Sequence, residues 1–122
     1  MILGVGLDIM DVARMGALLE KPHHRSRIFS EGENRHIDQK GAQSAAGIFA
    51  AKEAVAKALG TGFREFGPWD IEILWNELGA PHCALKNGAL ERMQALGGKK
   101  IHLSISHISE TASAIAILTD DI

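Results

Sequence analysis

The chain has 122 residues and a formal net charge of −2, with 46% hydrophobic and 23% charged residues. These values suit one globular domain, residues 1–122, and exclude a bulk nucleic-acid binder or a basic membrane-surface protein. Cys83 is the lone cysteine, so no internal disulfide forms and a reducing compartment is expected.

Ile2 to Ile9 reads as a strand, with Leu3, Val5, Leu7 and Ile9 on one face and Gly4, Gly6 and Asp8 on the other. The glycines leave room for something to approach the backbone closely. The same glycines and acid interrupt the apolar run, and no basic leader precedes it. It reads as neither signal peptide nor membrane span, and a cytoplasmic location is expected. Asp11 caps a helix carried by Val12, Met15 and Leu19 to about Lys21, where Pro22 stops it; a polar stretch follows. Ser30 with Glu33 forms a capping-box pattern that opens a short helix. The longest helical pattern, alanine-rich, runs from about Ala42 to Leu59 and ends at Gly60.

Trp69 to Trp75 alternates as a strand, Asn76 to Pro81 turns, and His82 to Lys86 forms a short strand. Asn87 is placed as the cap of a helix ending at Gly97. Ile101, Leu103 and Ile105 alternate in another strand, and Ala112 to Leu118 returns as the last one after a short turn. That connection is too short for a parallel crossover. The expected fold is α+β, a small, mainly antiparallel sheet packed on the long helix. Aromatics make up 5% with no Tyr. The core is therefore close-packed Ala, Ile, Leu and Val, or partly supplied by a second subunit.

Phe49, Glu53 and Lys57 stand at i, i+4 and i+8, on one face of the long helix. Alone, Glu53–Lys57 is a solvated pair worth about 0.3–0.5 kcal/mol, but the flanking alanines place this helix tightly against a neighbour. Asp8 alone is a common turn or cap residue. Brought together, Asp8 and Glu53 suit a hard, oxygen-preferring cation such as Mg²⁺. The Gly4-Val5-Gly6 run is no dinucleotide-binding turn, since Ile9 stands where the third glycine belongs. Ser106-His107 ends a strand and can offer a hydroxyl and an imidazole to an anion. No acid completes a Ser-His-Asp triad, and the other histidines lack metal-ligand spacing and read as surface or structural.

Taken in order, these segments resemble the 4′-phosphopantetheinyl transferase family. Gly6-Leu7-Asp8 is similar to its first motif, and Phe49 through Lys57 to its second. Ala58-Leu59-Gly60-Thr61-Gly62, Asn76 through Pro81 and Ser104-Ile105-Ser106-His107 resemble its short, stand-alone branch, the holo-acyl-carrier-protein synthases. The resemblance implies transfer of 4′-phosphopantetheine from coenzyme A to a serine hydroxyl of apo-acyl carrier protein, with release of adenosine 3′,5′-bisphosphate, by a homotrimer whose sites are shared between subunits. It further implies that Asp8 and Glu53 bind Mg²⁺, that Lys57 steadies charge developing on the phosphates, that Ser106 and His107 contact phosphate, and that Gly79 and Pro81 border the adenine. Ile48 departs from the pattern, standing where family members often carry arginine. Arg25, Arg27, Arg35 and Lys40 are basic residues that could substitute. Two other readings stay open: a degenerate homologue that binds coenzyme A or carrier without transfer, and a metal-dependent nucleotide pyrophosphate hydrolase. Arg14, Leu18, Lys21 and Arg25 form a basic stripe with an embedded leucine, an expected docking face for the acidic carrier.

Overall fold

The computed structural model describes residues 1–121. Among these residues are five strands, β1 (Ile2–Asp11), β2 (Ile71–Trp75), β3 (Pro81–Leu85), β4 (Lys100–His107) and β5 (Thr111–Thr119), with four of five α-helices between β1 and β2 and the fifth between β3 and β4. The helices are α1 (Val12–Leu19), α2 (Pro22–Ile28), α3 (Glu31–Lys40), α4 (Ala42–Ala58) and α5 (Asn87–Ala95). The antiparallel pairing splits into a three-stranded sheet, β1-β5-β4, and a hairpin, β2-β3. The α+β expectation holds, with two small sheets rather than one.

The helix α4 is the axis of the molecule. Eleven of its residues are buried, on every side of the helix, the pattern of a helix enclosed by its neighbours. Its approach to the three-stranded sheet is set by side chains that are absent. A Cβ on Gly6 would lie 1.8 Å from the Ala54 carbonyl oxygen, and one on Gly4 would lie 1.9 Å from that of Ala58. Ala112, Ala114 and Ala116 continue this small-residue face across β5, all fully buried. What the glycines of β1 admit is therefore the backbone of α4. The outer face is the apolar one: Val5, Leu7 and Ile9 are exposed, with Ile117, Ile115 and Ser113 opposite them on β5.

A buried ion pair fastens the other side of α4. Lys52 and Glu33 are 1% and 0% exposed and lie 2.9 Å apart. Lys52 Nζ also donates to the Pro68 and Ile71 carbonyls, while Glu33 accepts from the Ile73 and Ser30 amides. Every charge-bearing atom is thus partnered, the condition under which burial of two charges is tolerated. Glu33 is the capping-box residue read from the sequence, and it serves both the N-terminus of α3 and strand β2.

Two local expectations change. Pro22 does follow the end of α1, but it occupies the first turn of α2, where its missing N–H costs nothing; the polar stretch is helical. Asn87 does not cap α5. Its own backbone sits at φ 51°, and its side chain donates to Asp70 at 2.9 Å.

Candidate active site

Asp8 faces α4 from the same side of β1 as the two glycines, so the close approach that removes side chains at positions 4 and 6 delivers Asp8 to the helix. There, Lys57 Nζ donates to Asp8 Oδ1 at 3.2 Å and to the Leu7 carbonyl at 2.9 Å. Glu53 lies one turn earlier on α4. Burial, and then the negative charge of Asp8, hold its carboxyl above the usual range, while Lys57 pulls it down. The three residues therefore form one electrostatic unit.

Two carboxylates that resist ionising together gain when a divalent cation sits between them. Among the described residues no third His, Cys, Asp or Glu joins them. Such a pair would leave most of an octahedral shell to water and phosphate oxygens, which fits Mg²⁺ rather than a structural metal cage.

The second group lies elsewhere. Gly79, Pro81 and His107 line one cavity of about 180 Å³, together with His36, Ser44, Gly47, Ile48, Trp75 and Ile105. The β2-β3 turn is braced by Asn76, whose side-chain oxygen accepts from Leu78 and Ala80 amides at 2.9 Å each. Gly79 adopts φ 83°, a conformation open to glycine at little cost. His107 also borders an adjoining cavity of about 420 Å³ with His36, Lys40, Gln43 and Ser44. On its other side it joins Ser106 around a shallower one. None of these cavities includes Asp8, Glu53 or Lys57.

The sequence reading missed His36 and Trp75. Their rings stack at 3.8 Å with a 6° interplanar angle and form one wall of the cavity. Burial and the charge of Lys40 lower the pKa of His36. No spacing rule links residues 36 and 75; the pairing comes from α3 packing beside β2. Cys83 is partly buried, with its thiol pushed up to about 12, unsuited to nucleophilic work at neutral pH.

On the basic stripe, Arg14 and Lys21 are exposed, and Leu18 packs partly against the core. Arg25 is engaged: its guanidinium donates to Asn34 at 2.6 Å and pairs with Asp38.

The model of the 4′-phosphopantetheinyl transferase superfamily matches residues 4–117. The chain belongs to that superfamily. It is 46% identical over 124 residues to the holo-[acyl-carrier-protein] synthase of Clostridium novyi, covering 99% of this chain and 90% of that one. Among solved structures, the holo-[acyl-carrier-protein] synthase of Neisseria meningitidis superposes with a TM-score of 0.86 at 32% identity, covering 98% of this chain and 99% of that one. The Helicobacter pylori synthase, solved in complex with coenzyme A, gives 0.81 at 31% identity, covering 94% and 99%. Within the superfamily the chain thus falls among the holo-[acyl-carrier-protein] synthases, and it is an enzyme of the transferase class.

Proposed function

We propose that the chain transfers 4′-phosphopantetheine from coenzyme A to a serine hydroxyl of apo-acyl carrier protein, with Mg²⁺ as cofactor and adenosine 3′,5′-bisphosphate as the second product. The observation that carries this reading is the meeting of Asp8, Glu53 and Lys57 across β1 and α4 in a chain of this family. In the transfer, the serine oxygen bonds to the phosphorus nearer pantetheine as the bond to the leaving phosphate breaks. Charge spreads over the phosphate oxygens, and positioning with charge neutralisation does most of the work. Asp8 and Glu53 would hold Mg²⁺, which when bound neutralises pyrophosphate oxygens. Lys57 places its ammonium beside the same oxygens. Ser106 and His107 offer a hydroxyl and an imidazole to phosphate, and Gly79 and Pro81 border the adenine.

A homotrimer is part of the proposal. The acid–lysine group and the His107 cavity share no lining residue, and Ser106 lies on the outer sheet face, opposite Ser113 and beside the apolar patch. A neighbouring copy covering that face would bury the patch and could bring its own acid–lysine group to Ser106 and His107. Among the described residues no helix is long and apolar enough to cross a membrane, and a soluble, cytoplasmic role is proposed.

The deciding experiment incubates the protein with coenzyme A, Mg²⁺ and apo-acyl carrier protein and weighs the carrier. A gain of one phosphopantetheine group, abolished by chelation, is expected. Consumption of coenzyme A with an unmodified carrier would show a hydrolase, and binding without turnover would show a degenerate homologue.

A further inference from the structure

A further cavity, of about 230 Å³, lies between β3, α5 and the start of β4. It shares no lining residue with the cavities bordered by His107, and Asp8, Glu53 and Lys57 are absent from it. Cys83, Leu85, Met93 and Ile101 form its floor, each half-buried and packed on the core. Leu90 adds an apolar side, while His82, Lys99 and Lys100 are exposed and stand at the opening.

The chain places those two lysines by a tight turn. The Gly98 amide donates to the Met93 carbonyl at 2.9 Å, closing α5, and a Cβ on Gly98 would lie 2.6 Å from Leu118 Cδ1. Lys99 follows at once, its amide donating to the Thr119 carbonyl at 2.8 Å, and β4 begins at Lys100. Neither lysine makes an ion pair among the described residues. No Asp or Glu lines the cavity, so its opening is positive and its floor apolar. No Phe or Trp lines it either, and Leu, Ile and the pliable Met93 suit an aliphatic chain better than a flat ring. The volume lies below that of sites for drug-sized ligands, which selects a small one.

We propose that this cavity binds an unbranched aliphatic carboxylate of medium length, its chain on Leu85, Leu90, Met93 and Ile101 and its head group at Lys99 and Lys100. Each methylene that leaves water tightens binding by about fourfold until the cavity is full. The two ammoniums act as exposed point charges, so they select for the anion and added salt weakens the selection. The site is independent of the transfer reading, since it shares no residue with that machinery.

The test is calorimetric titration of the full chain with hexanoate, octanoate and octan-1-ol. Octanoate should bind about tenfold more tightly than hexanoate, and about fivefold more tightly than octan-1-ol, the share of two exposed charges. The double variant Lys99→Met with Lys100→Met should bind octanoate no better than the alcohol and leave the alcohol's affinity unchanged. Lys99→Arg with Lys100→Arg should keep the preference. Both lysines are exposed, so both double variants should melt with the parent. The place of binding is read from a protein carrying ¹³C-methyl methionine, whose Met93 signal is assigned through Met93→Leu. Octanoate should shift that signal and leave the other three methionines, Met1, Met10 and Met15, unmoved. An unmoved Met93 signal would put the ligand elsewhere and overturn the proposal. So would absence of octanoate binding, equal affinity for hexanoate and octanoate, or an anion preference that survives loss of both lysines.

Discussion

At the residue scale the decisive fact is that Lys57 bonds Asp8 while both act on the Glu53 carboxyl. Asp8→Asn and Glu53→Gln should each lower transfer at least a hundredfold, a barrier increase of about 2.7 kcal/mol; near-normal rates at limiting Mg²⁺ would remove both from the site. The same geometry has a thermal signature. Glu53 binds its proton more tightly folded than unfolded, so its ionisation costs stability at neutral pH. Glu53→Gln should therefore melt above wild type at pH 7, and the gap should close as pH falls below the ordinary value of 4.5, where the carboxyl is protonated in both states. Added Mg²⁺ should raise the wild-type midpoint and leave that of Glu53→Gln unmoved. Arg14, exposed beside the N-terminus of α1, belongs to a different surface. Arg14→Glu should raise KM for the apo-carrier several-fold with KM for coenzyme A unchanged, and wild-type efficiency should fall at ~0.5 M salt, where screening acts well inside ~10 Å. With Arg25 tied to Asp38, Arg14 and Lys21 carry most of this effect.

At the element scale, the pairing of β1 with α4 depends on hydrogen atoms where other residues have side chains. Gly6→Ala should cost at least about 1–3 kcal/mol, read as a lower urea midpoint, because the new methyl meets backbone and no side chain can swing aside. A midpoint equal to wild type would mean that α4 is not held where it stands. The β1 pattern also marks how far the sequence could be read. The bare face of Gly4, Gly6 and Asp8, the alanines of α4 and the Ser30–Glu33 capping box are local signals, and each led to the right element. Lys52 was legible only as a neighbour of Glu53; its burial against Glu33 and two carbonyls depends on α3, the turn at Pro68 and β2 arriving together. The second helix escaped because residues 22–28 bury nothing and so leave no apolar stripe. The His36–Trp75 wall escaped because long-range stacking has no period in sequence.

At the scale of the whole molecule, the outer face of the three-stranded sheet is the feature that a lone copy leaves unexplained. Val5, Leu7 and Ile9 are 55%, 59% and 67% exposed, and Leu7 stands directly opposite Ile115. A contiguous apolar face of this kind marks an association surface. Leu7→Glu should convert a trimer into monomers by light scattering and cut transfer more than tenfold, while the fold is retained by circular dichroism. An active wild-type monomer at micromolar concentration would rule the trimer out. The strand order has a consequence in time as well as in space. Within its sheet, β1 pairs with β5 alone, and Asp8 lies opposite Ala114. During synthesis the strand bearing the first acid emerges before every other helix and strand described above, and its hydrogen-bonding partner after all of them. Nearly the whole chain must close as a loop before that pair forms. Until then the nascent polypeptide holds an unpaired strand with three bare aliphatic side chains, and Asp8 has no settled place beside Glu53 and Lys57. Activity in this chain thus waits on completion of its last strand.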